Sequence, residues 1–298
     1  MKSTIGDYNV LINYRPRSSR TGVWKVHAKR DDRNYFLKTY TRKQRWHPEV
    51  YAYQNWMLHL QPYVPELIDI YEGEEYQAIL ISSIKGTIMR EALLDDEQLY
   101  RAYYMAGQLT QQIHTLATGE WFGRPNKDGA PIEMNCYHDP VTYIRSSIKE
   151  TYTHCTANHS LDQDEIQLVE WALENATVFK DSKPVPVSWD STPGNWLVDA
   201  KGDFAGMIDF ENMLWGIDVE SFSILFERYF NESEMAKRAF FEGYGNKVLV
   251  EKYIHIRITC IKLALGNIWW GTVNDSPRVI EYGRQLIKQM RDWKDDNP

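Results

Sequence analysis

Residues 188–211 read S-W-D-S-T-P-G-N-W-L-V-D-A-K-G-D-F-A-G-M-I-D-F-E. Asp190 opens a loop, and Asn195 follows five residues later. Trp196-Leu197-Val198 then form a short apolar run, residues 200–203 a turn, and a second apolar run ends at Asp209. A loop followed by a hairpin can deliver Asp190, Asn195 and Asp209 to one spot. The oxygens of Asn195 and Asp209 suit a Mg²⁺ that also holds substrate phosphates. Asp190 suits a base or orienter for an attacking hydroxyl. Thr192-Pro193-Gly194-Asn195 is also good turn chemistry, since Asp and Asn are ordinary turn formers. The order of the pieces decides between these readings.

D-x-x-x-x-N, an apolar hairpin and then Ile208-Asp209-Phe210-Glu211 resemble the aminoglycoside phosphotransferase/choline kinase family, whose pattern runs H-G-D-x-x-x-x-N…I-D-W/F-E. Ser188 and Trp189 stand here at the usual His-Gly positions. The family shares the protein-kinase fold. The resemblance therefore implies an α+β chain of two lobes: a small antiparallel sheet with one helix over residues 1–85, and a larger, mainly helical lobe over 86–298.

Composition agrees with a large packed domain. The 298 residues are 43% apolar, with 11 Trp and 19 Tyr. No apolar run approaches the ~20 residues of a membrane span, and no apolar signal region follows the first residues. Cys136, Cys155 and Cys260 are odd in number, far apart and without metal-ligand spacing, so three free thiols in a reducing cytoplasm are expected. A net charge of −7 without a long basic stretch argues against nucleic acid as partner and suits a cationic substrate, although many proteins share that balance.

The first half alternates like a sheet. Strands are expected over 8–14, 23–28 and 35–40, then over 65–71 and 76–83 around the turn at 72–75. The loop 15–22, with Ser18 and Ser19, lies where kinases fold backbone amides over nucleotide phosphates; it has one Gly and no G-x-G-x-x-G, so a plain hairpin loop competes. Lys38 falls inside the third strand, where a lysine is ordinarily solvated. Glu49 follows in a helix whose Val50, Tyr53, Met57 and Leu60 share a face, and Pro48 fits the first helical position. A first-turn glutamate also complements the helix dipole. The resemblance implies a further role: strand lysine followed by helix glutamate is the kinase order, with the glutamate orienting the lysine on the nucleotide phosphates. By position, Ser82, Ser83 and Ile84 match the hinge whose backbone reads the adenine edge.

In the second half, Asp95 with Gln98 resembles a capping box opening a long helix to about residue 116. His114 near its end reads as a packed core histidine. Asp139-Pro140 and Ser160 with Gln163 look like two further helix starts. By resemblance this insert helps build the acceptor pocket. Asp218, with Glu220 as competitor, would brace the catalytic loop. Residues 240–245 resemble the family's F-x-x-G-Y-G, and Ser276-Pro277 opens the last helix. Trp269 and Trp270 are either core or the wall of an acceptor site.

The resemblance implies an ATP-dependent phosphotransferase, with GTP as the alternative donor and Mg²⁺ as cofactor, acting on a hydroxyl of a small molecule. Lys38 would hold the phosphates, Glu49 would orient it, Asn195 and Asp209 would bind Mg²⁺, and Asp190 would accept the proton. An aminoglycoside-like or other hydroxylated antibiotic is the expected acceptor. The alternatives are a metabolic alcohol, or a nucleotide-binding pseudokinase, which Ser188 in place of His favours. Oligomeric state leaves no mark in the sequence.

Overall fold

The computed structural model describes residues 4–5, 8–14, 21–132, 136–158 and 160–293. The chain makes two compact units: Met1–Leu93 with Arg124–Met134 and Pro193–Leu214, and Leu94–Gly123 with Asn135–Thr192 and Trp215–Pro298. The class is α+β, with the large sheet near the N-terminus and most helices later, as expected.

The first unit is built on β1 (Thr4–Ile5), β2 (Tyr8–Asn13), β3 (Thr21–Ala28), β4 (Arg33–Tyr40), β5 (Leu67–Glu72) and β6 (Gln77–Ser82), in the order β1-β2-β3-β4-β6-β5. Every pairing is antiparallel. Strand periodicity sends Leu37 to one face, where it packs with Val26, Tyr35 and Leu80. Lys38 and Tyr40 point to the other face, which carries α1 (Lys43–Asn55). Trp46 pins α1 to the sheet by donating its indole N–H to Ala78 O at 3.2 Å.

The start of α1 corrects the sequence reading. Pro48 lies inside the helix, not at its first position, and Glu49 is consequently past the first turn. The helix opens behind Arg42 with no side-chain cap, so the usual marker of a helix start is missing there. Its regular α part ends at Asn55, and Met57–Leu60 continue as a tighter 3₁₀ turn.

Pro193–Leu214 adds a hairpin to this unit. Trp196–Val198 pairs with Phe204–Met207 on one side and with Thr87–Ile88 on the other. Asp199 shapes its turn, its Oδ1 accepting from Lys201 N at 2.8 Å and Asp203 N at 3.0 Å. Gly206 is required by close approach: a Cβ there would lie 2.5 Å from Tyr63 O, the carbonyl that accepts from Met207 N at 2.7 Å.

The second unit is helical. α2 (Asp96–Thr115) has the capping box read from Asp95 and Gln98. α3 (Pro140–Ala157) starts behind Asp139, which accepts from Thr142 N at 2.7 Å. α4 (Gln163–Asn175) is capped by Asp162 and Glu165 instead of Ser160 and Gln163. A carboxylate two residues nearer the helix reaches the orphan amides that Ser160 cannot. The helix Glu234–Tyr244 crosses α2 backbone to backbone: a Cβ on Gly107 would stand 2.0 Å from Phe240 O, and one on Gly243 2.0 Å from Tyr104 O. Phe222, Phe226, Phe230, Phe240 and Phe241 fill the space beside it. The long helix Tyr253–Val273 packs on Pro277–Asp292, where Gly283 admits the carbonyl of Ala264.

Candidate active site

Lys38 is 4% exposed and Glu49 fully buried. A buried ammonium is tolerated only when paired and hydrogen-bonded, and here Nζ donates to Glu49 Oε1 at 2.7 Å, Glu49 Oε2 at 2.6 Å and Asp209 Oδ1 at 2.9 Å. Glu49 is satisfied further by the Tyr40 hydroxyl and by Phe210 N at 3.3 Å. The last bond ties α1 to the backbone right after Asp209.

Asp209 has φ +68°, in the left-handed region. That conformation costs an ordinary residue roughly 1–2 kcal/mol, and Asp and Asn tolerate it best. Ile208 N donates to Asn195 O at 2.9 Å, so Asn195 sits across the hairpin base from Asp209. Glu211 lies in the same neighbourhood: carboxylate oxygens of Glu49, Asp209 and Glu211 fall within 4.8 Å of one another. Arg45 pairs with Glu211, and Thr21 Oγ1 donates to it at 3.1 Å.

Three carboxylates thus lie together, with Lys38 paired to Glu49 and Asp209 and Arg45 paired to Glu211. Burial works against the Lys38 charge, but Asp209, Glu49 and Glu211 outweigh it and hold the ammonium well above the usual lysine range. Burial pushes Glu49 up to about 7, against the opposing pull of Lys38. Burial, with Glu49 beside it, keeps the Tyr40 hydroxyl protonated far above its ordinary range.

Of the residues singled out from sequence, Lys38, Glu49 and Asp209 therefore meet through their side chains in the first unit, and Asn195 is joined to the residue before Asp209 through its carbonyl. Ser82 ends β6, where its Oγ accepts from Glu66 N at 2.8 Å. Ser83 and Ile84 follow, and Ile84 packs against Gly206 of the hairpin. Ser18 and Ser19 lie outside the described residues. Asp190 belongs to the second unit, just past the strand Val185–Ser188. There the buried Ser188 accepts from Asp190 N at 3.3 Å through its Oγ.

Sequence reasoning gave no role to Glu211, Arg45 or Tyr40. Tyr40 follows Lys38 at strand period and so shares its face, while Glu211 closes the I-D-F-E run two residues after Asp209. Arg45 had no signal, because its helix was read as starting later.

The second unit holds the other residues singled out. His114 is buried, its Nδ1 2.8 Å from Tyr244 Oη and its Nε2 3.0 Å from Ser221 Oγ. Burial lowers its pKa to about 4. Asp218 pairs with Lys252 and accepts from Val219 N at 2.8 Å. Glu220 is buried and accepts from Ile217 N at 2.8 Å, Tyr143 Oη at 3.2 Å and Lys262. Trp269 stacks on His154 at 5.1 Å, while Trp270 is part-exposed. All three cysteines are free thiols, and no helix among the described residues is long and apolar enough to cross a membrane.

Solved structures with this fold include a thermostable mutant of aminoglycoside phosphotransferase APH(4)-Ia in ternary complex with AMP-PNP and hygromycin B. It is 15% identical, with TM-score 0.73 over 97% of this chain and 95% of that one. The GDP and kanamycin complex of APH(2")-IIia is 14% identical, with TM-score 0.63 over 97% and 94%. A Haemophilus somnus 129PT protein assigned as a fructosamine-3-kinase is 15% identical, with TM-score 0.57 over 95% and 92%. No curated protein sequence matches the chain. The model of the phosphotransferase enzyme family matches residues 14–253, and the chain belongs to that family as a small-molecule kinase.

Proposed function

We propose that the protein transfers the γ-phosphoryl group of ATP, with GTP as the alternative donor, to a hydroxyl of an aminoglycoside-like antibiotic. The observation that carries this reading is the buried Lys38 ammonium held between Glu49 and Asp209. A lysine so fixed is a point charge aimed where nucleotide phosphates can meet it, and Glu49 prevents it from swinging away. Backbone groups at Ser82, Ser83 and Ile84 would read the base. The similarity to structures holding AMP-PNP with hygromycin B, and GDP with kanamycin, supports the choice of donor and acceptor class.

Asn195 and Asp209 would hold Mg²⁺. The donor set fits: these are hard oxygen ligands in a site with surplus negative charge. When bound, the ion supplies neutralisation of charge on the phosphate oxygens. Asp190 accepts the proton of the attacking hydroxyl as its oxygen bonds to the γ-phosphorus and the bond to the nucleoside diphosphate breaks. Lys38 holds the departing diphosphate, and phosphoryl transfer of this kind is largely positioning and charge stabilisation.

A second reading, phosphorylation of a sugar-derived or amino-alcohol metabolite, is favoured by the likeness to the fructosamine-3-kinase. Both are tested by incubating the protein with Mg-ATP or Mg-GTP and a panel of kanamycin, hygromycin B, other hydroxylated antibiotics, glycated amines and amino alcohols, then weighing the products. A phosphoryl mass gain on an aminoglycoside is expected. Gain only on metabolites selects the second reading. Nucleotide binding without consumption for any acceptor would make the chain a nucleotide-binding module and end the enzymatic proposal.

A further inference from the structure

Trp189, at the position before Asp190, is 38% exposed. The Lys262 ammonium lies over its ring, 5.2 Å from the centroid, and also 4.8 Å from the centroid of Tyr143. Both distances fall inside the ~6 Å reach of a cation–π interaction. Lys262 projects from the long helix Tyr253–Val273, and its side chain is only 13% exposed. Its charge is matched by the buried Glu220, which also accepts from the Tyr143 hydroxyl and from Ile217 N. Gly216 makes room for this carboxylate, since a Cβ there would stand 2.8 Å from Glu220 Oε2. Tyr143 is itself stacked on Phe122 at 4.8 Å. The loop, α3, the turn after Ile217 and the long helix are joined through one ammonium.

We infer that Trp189 and Lys262 are positioning residues that hold the Asp190 loop in its reactive geometry. The inference rests on the reading of Asp190 as proton acceptor. Ser188 stands where the resembled pattern has histidine, and its Oγ accepts from Asp190 N at 3.3 Å. A tryptophan clamped by a buried, charge-balanced lysine anchors the residue next to Asp190. The indole face needs a cation of fixed position, and Glu220 with Tyr143 fixes it. Neither Trp189 nor Lys262 takes a proton or meets phosphate in this scheme; they act through the backbone of Asp190.

The test compares Trp189→Ala, Trp189→Phe, the pair Lys262→Met with Glu220→Gln, and all three changes with Trp189→Ala combined. Glu220→Gln accompanies Lys262→Met so that no buried carboxylate is stranded. Steady-state transfer of the labelled γ-phosphoryl group from Mg-ATP is followed with kanamycin, hygromycin B and water each offered as acceptor. Trp189→Ala should lower kcat about tenfold or more while the KM for ATP stays within about twofold, and Trp189→Phe, which keeps a ring face, should recover to within about threefold. The Lys262→Met pair should lose as much as Trp189→Ala, and the combination should lose no more than either, because one interaction is being removed twice. Wild-type kcat in Trp189→Ala overturns the inference, as do additive losses or failure of Trp189→Phe to restore turnover. Asp190→Asn is measured in parallel. If it turns over normally, the base assignment fails and the inference falls with it. If it is inactive while Trp189→Ala is unimpaired, only the positioning role is lost.

Discussion

Asp209 combines two properties that one substitution can separate. Its backbone is left-handed, and its carboxylate faces Lys38. Asn tolerates the same backbone, so Asp209→Asn removes charge without adding strain, whereas alanine would confound the two. Mg-nucleotide binding by calorimetry should weaken in Asp209→Asn, because the charge proposed to face Mg²⁺ is gone. Asp190→Asn should keep nucleotide affinity but lose single-turnover transfer by on the order of 10²–10⁴, the usual worth of a positioned base. The reverse pattern would exchange the two roles. His114 allows a prediction in pH. Its buried imidazole stays neutral down to about 4, below its ordinary 6.5. The unfolded chain takes up the proton first, so this contribution is complete above pH 6.5 and is lost as pH falls toward 4, by on the order of 3 kcal/mol. Urea midpoints of the wild type should decline across that window, and His114→Gln should decline less steeply. Parallel curves would show that His114 does not carry the effect.

The crossing of α2 with the helix Glu234–Tyr244 is set by Gly107 and Gly243. Each faces a carbonyl oxygen of the opposite helix, which cannot rotate aside as a side chain can. Gly107→Ala and Gly243→Ala should therefore each cost about 2–3 kcal/mol, the upper part of the range for overpacked cores, and lower the urea midpoint. An unchanged midpoint for either would mean the helices can slide apart freely. Neither contact was legible in the sequence, where both glycines looked like ordinary helix residues or part of a terminal motif. What was legible had local causes. Asp95 with Gln98 and Asp139 before Pro140 announce their helices through side-chain chemistry next to the first turn. The uncapped start of α1 announces nothing, and Pro48 there misled the reading. Lys38 and Glu49 were legible as a pair only through the resemblance, since alone they read as a solvated strand lysine and a helix-dipole glutamate. Glu211 and Arg45 were not, since their pairing spans 166 positions.

The first compact unit is not a continuous stretch of chain. Its sheet is finished by residue 93, but it also takes in Arg124–Met134 and Pro193–Leu214. Lys127 N reaches His47 Nδ1 at 3.2 Å, and the hairpin provides Asp209, the amide for Glu49 and a strand partner for Thr87–Ile88. A fragment ending at residue 93 would leave Tyr63 O without its hairpin amide and the buried Lys38–Glu49 pair without its outer wall. Expressed alone, that fragment should show no cooperative thermal transition by circular dichroism, while the full chain does. A cooperative melt would show the sheet to be self-sufficient.

This discontinuity bears on how the protein is born. At synthesis rates of about 5–20 residues per second, roughly ten seconds separate the emergence of residue 93 from that of the hairpin that completes its unit. During that interval Lys38 and Glu49 have been translated but lack the carboxylates of Asp209 and Glu211, and the sheet face beneath α1 is only partly closed. The nascent chain would leave the ribosome with its earliest-made unit among the last to mature. Slow codons or a holding chaperone would matter most in the stretch just before residue 214.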